Sequence, residues 1–564
     1  MYKADVLIIG AGGAGLRAAI EAADNGATVM VVGKTLLGKS HTVMAEGGIN
    51  AALGNLDPQD NWRIHFADTV REGQFINNWR MVEIMTKEAA EIIKELETYG
   101  ALFDRTEDGK IMQRAFGGHT YRRACHIADR TGLEIMQVLI AEVRRRNGKI
   151  LNLEECIITK LVKKTGKIIG ALGISLRTGS IIRIHCKAII LATGGLARVY
   201  RISTNAWETV GDGYALALDA GAELQDMEMI QFHPTGMVYP ESAEGILVTE
   251  SVRGEGGILL NAKGERFMKR YDPAKMELST RDVVARAIFN EILKGRGTKN
   301  RGVYLDISHK PKEFIEKKFP KMIEKFKDFA AIDITKEKMG VAPTAHYAMG
   351  GIHVGPEMGN SHIKGLFAAG EITAGVHGAN RLGGNSLMDI LVFGKRAGKY
   401  AARYTKKKRF KNIPATGIKK EMLRLNKPFK NKKGVRPIIL KERLQGIMWN
   451  NVGIVRNAHL LKMALRQLQK IKKSVNKISV SGSKIYNHDW IQYLDLLVMI
   501  PSCEAIIKSA LLRKESRGAH FRTDYPRKDD KRWLKNIIVK MKNNKLFLSK
   551  HLVPELPNSL KGFL

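Results

Sequence analysis

The stretch from residue 231 to residue 257, QFHPTGMVYPESAEGILVTESVRGEGG, concentrates side chains that could carry acid–base chemistry on an anion. Glu250 and Arg253 are three residues apart, so on a helical turn they would share one face. A carboxylate that holds a proton beside a guanidinium that passes one would form a proton relay. His233 and Arg253 could also bind an anionic substrate, because arginine matches a carboxylate with two parallel hydrogen bonds. By themselves, these residues are equally compatible with a glycine-rich loop that carries a surface ion pair.

Three further positions carry similar side chains elsewhere in the chain. Arg281 begins a predicted helix in STRDVV, and a surface arginine paired with Asp282 is the alternative interpretation. His346 precedes a glycine pair, and Arg381 lies in the loop before a predicted helix that begins at Leu387. The N-terminus of that helix suits an anion.

The N-terminal segment predicts a βαβ unit that binds a dinucleotide. Residues 4–9 form a buried-strand pattern, the turn Gly10–Gly15 has the spacing GxGxxG, a helical pattern follows to about Asn25, and Thr28–Val32 forms the next strand. Glycines at such a turn let the backbone approach a pyrophosphate at the helix N-terminus. The acidic residue that would bind the ribose of NAD is replaced by Gly33-Lys34. FAD is therefore the favoured dinucleotide.

Other segments could complete the FAD site. Residues 188–195 and 365–371 are strand patterns that run into glycine turns, and the second ends in Glu371, the acidic residue that a ribose requires. Asp212 begins a helix, where it could cap the helix or meet a ribityl hydroxyl. The helix after Arg381 could face the O2/N1 region of a flavin. His41 lies in the loop after the βαβ unit, where a core or capping histidine is the alternative.

Length and composition indicate a multidomain α/β enzyme. At 564 residues the chain should hold roughly two to four domains. An apolar fraction of 44% and 55 glycines suit a globular α/β protein with many tight turns. Residues 80–145 are mostly amphipathic helix, residues 157–184 alternate as in an antiparallel meander, and lysine-rich amphipathic helices follow residue 403.

Charge and cysteine usage restrict the partners. The net charge is +37, but no nucleic-acid motif accompanies it, so we expect a solvated lysine-rich surface and no nucleic-acid partner. The four cysteines are scattered without a CxxC pair, which argues against a metal or iron–sulfur site in this chain and favours a reducing, cytoplasmic compartment. Because a strand pattern begins at residue 5, we expect no signal peptide. The sequence contains no run of 18 apolar residues, so we expect no transmembrane segment.

Taken together, these motifs resemble the flavoprotein subunit of succinate dehydrogenase and fumarate reductase. The resemblance runs from Asp5 to about Asp530 and rests on motifs in a fixed order: GAGGAGLRAA, SHTVMAEGG, QFHPTG, TE-x-x-RGEGG, RDVVARA, PTAHYAMGG, GLFAAGE, HGANRLGGNSLMD and SRGAH. It implies a split Rossmann-like FAD-binding domain (residues 1–231 and 346–403), an inserted α+β capping domain that closes over the substrate (232–345) and a C-terminal helical domain and tail (404–564).

The resemblance also implies roles for single residues. His41 corresponds to the histidine that bonds covalently to the flavin, which would raise the flavin potential enough for succinate oxidation. One substrate carboxylate would bind His346 and Arg381, and the other His233, Thr249 and backbone amides near Glu250. The positions expected to bind FAD are Gly10, Gly12, Gly13, Ala14, Gly15, Lys34, Ser40, His41, Thr42, Gly47, Gly48, Asp212, Glu371, Ser386 and Leu387.

The implied reaction is the interconversion of succinate and fumarate. Flavin N5 would exchange hydride with one carbon, and Arg281 would give a proton to the other, reloaded through Glu250 and Arg253. An arginine acid needs such a relay because its pKa is high. Many relatives have a cysteine before the motif arginine where this chain has Val252, so sensitivity to thiol reagents is not expected.

Three functions remain open from the sequence. The first is a fumarate reductase or succinate dehydrogenase flavoprotein of undecided direction. It would pass electrons to a separate iron–sulfur subunit, which a membrane anchor would hold on the inner face of the cell membrane. The second is a flavoenzyme like L-aspartate oxidase, although His41 and the sequence RLGGNS favour the succinate/fumarate branch. The third is a non-catalytic basic binding protein, which would bind nucleic acid with strong salt dependence.

Overall fold

The computed structural model describes residues 2–564. Its strands, numbered in chain order, are β1 (Tyr2–Ile9), β2 (Val29–Val32), β3 (Ile49–Asn50), β4 (Gln113–Arg114), β5 (Ala124–Cys125), β6 (Ile150–Leu153), β7 (Cys156–Lys164), β8 (Lys167–Ser175), β9 (Ile181–Leu191), β10 (Leu224–Gln225), β11 (Ile230–Met237), β12 (Ile258–Leu260), β13 (Val303–Asp306), β14 (Met339–Ala348), β15 (Gly351–Ile352), β16 (Leu366–Ala368), β17 (Val455–Arg456), β18 (Phe521–Arg522), β19 (Lys535–Lys542) and β20 (Lys545–Leu552).

The helices are α1 (Gly13–Asp24), α2 (Trp62–Glu72), α3 (Trp79–Thr98), α4 (Thr131–Arg145), α5 (Asp212–Ala220), α6 (Ser251–Gly254), α7 (Met268–Tyr271), α8 (Arg281–Leu293), α9 (Lys312–Lys318), α10 (Pro320–Ala330), α11 (Asn385–Thr405), α12 (Ala415–Leu425), α13 (Pro437–Asn451), α14 (Ala458–Ser474), α15 (His488–Leu512), α16 (Asp530–Trp533) and α17 (Asn558–Lys561). None of these helices is both long enough and apolar enough to cross a membrane.

The main sheet has the order β6-β2-β1-β9-β8-β7, and β16 also pairs with β9. Strands β6, β2, β1, β9 and β16 are parallel, as the βαβ prediction requires. Strand β9 joins the two predicted parts of the sheet: its first residues pair antiparallel with β8, and its last residues pair parallel with β16. The meander and the return to the parallel sheet are therefore one continuous strand.

Helices α1 and α11 cover this sheet in close contact. A Cβ added at Gly398 of α11 would lie 2.3 Å from the carbonyl oxygen of Ala18 in α1, so glycine is required there. This close packing places the N-terminal ends of α1 and α11 on the same side of the sheet, beside the carboxyl ends of β1 and β9. In open α/β sheets, ligands bind at that edge.

Residues 232–345, which we call the inserted segment, form a second sheet with the order β11-β14-β13-β12. The buried side chains of a separate hydrophobic cluster all come from between Met237 and Val341. The chain enters and leaves along β11 and β14, which are antiparallel neighbours over Ile230–Met237. The inserted segment thus has its own core and is joined to the rest of the protein, the main body, through one pair of strands.

The C-terminal region is helical from α12 to α15, as predicted for the residues after 403, but its tail differs. Strands β19 and β20 form a hairpin whose turn, Asn543-Asn544, has positive φ at both residues, which matches the twist of paired strands. Strand β19 pairs with β10 of the main body. The sequence did not predict this hairpin, because lysines interrupt the alternation of apolar residues between 535 and 552. The segment therefore has a composition similar to that of the lysine-rich helices before it.

Candidate active site

A single elongated cavity brings most of the predicted residues together. It runs from the glycine turn after β1 to the interface between the main body and the inserted segment. Of the predicted FAD positions, its lining includes Gly10, Gly12, Gly13, Ala14, Lys34, Ser40, His41, Thr42, Gly47, Gly48, Asp212, Glu371, Ser386 and Leu387. The predicted substrate residues His233, Thr249, His346 and Arg381 also line it, together with Glu250 and Arg281.

Gly15 and Arg253 do not line the cavity. A Cβ at Gly15 would lie 1.9 Å from the carbonyl oxygen of Gly10, so Gly15 lets α1 pack against the end of β1. Arg253 lies behind Glu250, where Nη1 donates to the carbonyl oxygen of Glu277 at 2.7 Å. Arg253 therefore meets the cavity through Glu250, whose Oε1 lies 3.4 Å from Arg253 Nη2.

The cavity walls at the α1 end fit a dinucleotide, although the protein has no acidic residue directly after β2. Gly12 caps α1 without a side-chain hydrogen bond of its own. The amide of Gly13 donates to Thr42 Oγ1 at 3.2 Å, which leaves the amides of Ala14 and Gly15 available to a pyrophosphate.

Glu371 is a half-buried carboxylate that accepts a hydrogen bond from the amide of Ala348 at 3.0 Å. Burial raises the pKa of Glu371 to about 7 because too few hydrogen bonds compensate the loss of water around the charged form. Hydroxyl groups of a ribose could donate the hydrogen bonds that this carboxylate lacks.

Lys34 occupies the position after β2 and is paired rather than free. Its ammonium lies 2.8 Å from Asp212 Oδ1 and 3.4 Å from Asp495 Oδ1. Burial opposes the charge on Lys34, but the two carboxylates outweigh it and raise its pKa above the usual value. Asp212 therefore holds Lys34 at the cavity wall, and Gly211 rather than Asp212 occupies the N-cap position of α5.

His41 lies on a short 3₁₀ turn, His41–Met44, at the middle of the cavity. Its Nε2 is 3.4 Å from Asn205 Nδ2, and its buried Nδ1 has no hydrogen-bond partner. Burial and the charge of Arg198 lower the pKa of His41 to about 4, so the imidazole is neutral near pH 7. A neutral ring with an unpartnered nitrogen fits attachment to a flavin.

His233 on β11 and His346 on β14 face each other, with ring centroids 5.1 Å apart. Burial lowers the pKa of both rings well below the usual value, and Arg281 adds to this effect at His233. His346 Nδ1 lies 2.8 Å from the hydroxyl of Thr204. If that hydroxyl donates, His346 carries its proton on Nε2, where it can donate to a carboxylate.

Arg381 supplies a buried cation opposite the inserted segment. Its guanidinium lies over the ring of Tyr347, 4.5 Å from the centroid, and its buried Nε has no hydrogen-bond partner. Burial and the repulsion of Arg281 lower its pKa to about 9, which still leaves Arg381 charged near pH 7. A buried cation without a carboxylate partner is costly, so this position fits an anionic ligand.

Arg281 and Glu250 form the central ion pair of the site. Arg281 Nε and Nη2 donate to Glu250 Oε2 at 2.8 and 2.5 Å, and Nη1 donates to Gln231 Oε1 at 3.1 Å. Arg253 Nη2 lies 3.4 Å from Glu250 Oε1. Burial opposes ionisation of Glu250, but Arg281 and Arg253 outweigh it and lower its pKa far below the usual value. Arg281 is therefore not a surface arginine paired with Asp282, whose partner is Arg286 at 2.7 Å.

Sequence reasoning missed Gln231, Thr204 and Tyr347, which contact Arg281, His346 and Arg381 respectively. Gln231 could have been found, because Gln231 and His233 are two residues apart and share a face of β11 if it is a strand. Thr204 and Tyr347 carry no such signal. The predicted Thr249 lines the cavity and its hydroxyl donates to Ser251 Oγ at 3.3 Å.

Comparisons with known proteins identify the family of this chain. An FAD binding domain family matches residues 5–387, and the fumarate reductase flavoprotein C-terminal family matches residues 441–553. One relative is a subunit of the fumarate reductase (CoM/CoB) of Methanothermobacter marburgensis. The two chains are 46% identical over 98% of this chain and 99% of the relative.

Two solved structures extend the match. Sdh1 of Mycobacterium smegmatis is 45% identical, with a TM-score of 0.90 over 100% of this chain and 96% of that one. FrdA of the E. coli quinol fumarate reductase is 33% identical, with a TM-score of 0.93 over 99% of this chain and 98% of that one. This protein is an FAD-binding oxidoreductase that belongs to the family of succinate dehydrogenase and fumarate reductase flavoprotein subunits.

Proposed function

We propose that this chain is the catalytic subunit of an enzyme that interconverts succinate and fumarate and exchanges electrons with a separate iron–sulfur subunit. The observation that carries the proposal is the placement of Arg281, held by Glu250 and Gln231, in the same cavity as the unpaired cation of Arg381. The relative from Methanothermobacter is named as one subunit of a fumarate reductase, which supports both the reaction and the need for a partner.

The two ends of a C4-dicarboxylate have matching sites. Arg381 and His346 would bind one carboxylate, and His233, Thr249 and amides near Glu250 would bind the other. Both imidazoles are neutral near pH 7, so they bind as hydrogen-bond donors, and Arg381 supplies the positive charge. Two clamps from different parts of the chain can twist one carboxylate out of the plane of the double bond, which polarises it.

Bound FAD would supply hydride exchange at N5. The work of the protein is then to deliver a proton to the other alkene carbon. Arg281 is the proposed donor, because three of its nitrogens are fixed by Glu250 and Gln231 while it lines the cavity. Arg253 would return the proton through Glu250, since burial lowers the pKa of Arg253 and makes its proton easier to release. Succinate oxidation uses the same groups in reverse.

We further propose that FAD is attached covalently through His41 and that the chain is peripheral to the inner face of the cell membrane, through its partner. Domain roles follow the same proposal: residues 1–231 and 346–403 bind FAD, residues 232–345 cap the substrate, and residues 404–564 support them. The separate hydrophobic core within residues 237–341 supports this division.

The deciding experiment is anaerobic oxidation of reduced methyl viologen by the purified chain, with fumarate or L-aspartate-derived iminosuccinate as acceptor. Fumarate-dependent bleaching, together with succinate-dependent reduction of a dye, is the expected result. A flavin-loaded protein that ignores fumarate and instead oxidises L-aspartate in air, with release of peroxide, would contradict the proposal and favour the aspartate alternative. The ratio of the rate of fumarate reduction to the rate of succinate oxidation shows which direction the enzyme prefers.

A further inference from the structure

One buried carboxyl group lies close to the site without lining the cavity. Glu72 is the last residue of α2 and is 7% exposed. The loop 375–381, which carries Arg381, is attached to this end of the helix, because the amide of Ala379 donates to the carbonyl oxygen of Gly73 at 2.9 Å. The end of α2 therefore places the Glu72 carboxyl group against the loop that supplies the free cation of the site.

A chain of hydrogen bonds leads from Glu72 to Arg281. Asn380 Nδ2 donates to Glu72 Oε1 at 2.5 Å, and Asn380 Oδ1 accepts from Gln231 Nε2 at 2.8 Å. Gln231 Oε1 in turn accepts from Arg281 Nη1 at 3.1 Å. All four residues are buried, so water competes little for these bonds. Two side-chain amides thus link Glu72 to the proposed proton donor.

Neighbouring groups fix the orientation of both amides. Asn380 Nδ2 also donates to Asp282 Oδ1 at 2.9 Å, and a side that faces two carboxyl groups must carry the nitrogen. Gln231 Nε2 also donates to the carbonyl oxygen of Arg381 at 2.9 Å. The oxygen of Gln231 is therefore the atom that faces Arg281, and the two amides hold this guanidinium in one orientation.

The charges around Glu72 favour its neutral form. Burial raises the pKa of Glu72 well above its usual value, and the negative charges of Asp282 and Glu250 act in the same direction. The cations Arg281 and Lys275 oppose this effect but do not outweigh it. Because Glu72 ends α2, the partial negative charge at the C-terminus of a helix also favours the protonated form.

The two carboxyl groups that share Asn380 differ in charge. Asp282 lies 2.7 Å from Arg286. Burial opposes ionisation of Asp282, but Arg286 helps to outweigh it, and the pKa of Asp282 is lowered. Like charges this close disfavour double ionisation, so Asp282 is the charged acceptor of the pair and Glu72 the neutral one.

Other charged groups near the end of α2 have partners of their own. Asp68, one turn earlier on the helix, lies 3.5 Å from Arg71 and 2.9 Å from Arg123. Arg517, which donates to the loop after α2, lies 2.7 Å from Glu515. These pairs do not supply a counter-charge to the carboxyl group at the helix end.

We infer that Glu72 is a positioning residue, which acts through the two amides to hold Arg281 in the orientation that delivers its proton. This inference rests on the proposed function, in which Arg281 is the donor. The neutral state of Glu72 matters as well as its place. Because Arg281 stabilises the charged form of Glu72, a charged Glu72 would equally stabilise the charged form of Arg281 and oppose release of its proton.

The test uses the full-length, flavin-loaded chain and measures fumarate reduction by reduced methyl viologen between about pH 6 and 10. Glu72→Gln keeps an acceptor oxygen for Asn380 but cannot ionise, and Glu72→Ala removes the acceptor. Glu142→Gln is the matched control, because Glu142 is a carboxyl group in the last turn of α4 that is 5% exposed. For each protein we measure kcat, KM and flavin absorbance per protein.

We expect Glu72→Ala to lower kcat near pH 7 at least about tenfold with KM within about twofold of wild type, because the chain of hydrogen bonds acts on proton delivery and not on substrate affinity. Glu72→Gln should match wild type near pH 7. As pH rises, its kcat should fall less than the wild-type kcat, since only the wild type gains a charge at this position. Loss of charge on Arg381, whose pKa is about 9, raises KM in all variants alike, so kcat is compared at saturating fumarate.

A normal kcat in flavin-loaded Glu72→Ala would overturn the inference. So would the same fall of kcat with pH in Glu72→Gln and wild type, which decides the question alone if Glu72→Ala does not fold. A loss in Glu142→Gln as large as that in Glu72→Ala would show a general effect of removing a buried carboxyl group and would also overturn it. If the wild type lacks fumarate-dependent turnover, the proposed function fails and this role fails with it, whereas an active wild type tests the role of Glu72 by itself.

Discussion

Lys325 of α10 donates a hydrogen bond to the carboxylate of Glu46, and this contact joins the inserted segment to the wall of the cavity in the main body. Lys321 lies 3.5 Å from the same Glu46 oxygen. At the start of α10, Asp129 accepts the amides of Lys321 and Met322 at 2.9 and 3.2 Å. Glu46 is buried, so solvent screens this ion pair less than a surface pair. We expect these contacts to favour the arrangement in which the inserted segment covers the cavity, here called the closed form.

Replacing Lys325 should weaken substrate binding. In Lys325→Met we expect the KM for fumarate to rise about tenfold, equivalent to about 1.4 kcal/mol, with a smaller change in kcat. The reason is that the closed form would make up a smaller fraction of the protein, which lowers apparent affinity by that fraction. Steady-state viologen assays measure both constants. Lys327→Met, an exposed position on the same helix, is the control and should behave as wild type. An unchanged KM in Lys325→Met would show that the ion pair does not hold the closed form.

Replacing Arg281 should remove proton delivery while preserving the flavin. We expect Arg281→Lys to lower kcat by about a hundredfold to ten-thousandfold, the usual contribution of a positioned acid. A lysine cannot make the paired contacts to Glu250 and Gln231 together. The flavin absorbance per protein should not change. Arg286→Lys, one turn further along α8, is the control because Arg286 pairs with Asp282. Equal losses in both variants would point to damage to α8 instead of a lost acid.

Covalent attachment of the flavin to His41 can be tested without an activity assay. After precipitation with acid, we expect the wild-type protein to keep its flavin and His41→Ser to release it, because only a covalent bond survives denaturation. Ser40→Ala, at the neighbouring position of the same loop, should keep its flavin attached. Succinate oxidation should fall more than fumarate reduction in His41→Ser, since loss of the bond lowers the flavin potential. Release of flavin from the wild type would exclude covalent attachment.

Glu371 should make the flavin-free protein less stable as pH rises. Its pKa increases from 4.5 to about 7 on folding, so the folded state binds the extra proton between these values. This contribution to stability is present below pH 4.5 and is lost as pH rises through 7, by about 3 kcal/mol in total. In Glu371→Gln we therefore expect a smaller fall in unfolding free energy between about pH 5 and 8, measured with denaturant in the His41→Ser background after the noncovalently bound flavin has been removed. The exposed Glu107→Gln is the control; an identical pH slope in all variants would contradict this role.

Much of the fold and site was predictable because the signals are local. The glycine turn after β1, the alternation before β9 and the pair Glu250 and Arg253 each depend on residues close in sequence. Contacts between distant residues leave no such pattern. Nothing in the sequence pairs Lys325 with Glu46, which are 279 residues apart, or shows that Arg253 lies behind Glu250 and outside the cavity lining.

The C-terminal hairpin affects how the protein is made. Strand β10, which precedes the inserted segment, is bordered by β15 and by β19, and buried Asp226 accepts the amide of Ile537 at 2.8 Å. The sheet next to the FAD-binding region therefore contains a strand from the last thirty residues of the chain. During synthesis, earlier regions can fold as they emerge, but this sheet is completed only after β19 has been made. Stable loading of the flavin is accordingly expected to follow synthesis of β19, and a chain that stops before β19 would leave one edge of β10 unpaired and exposed to aggregation.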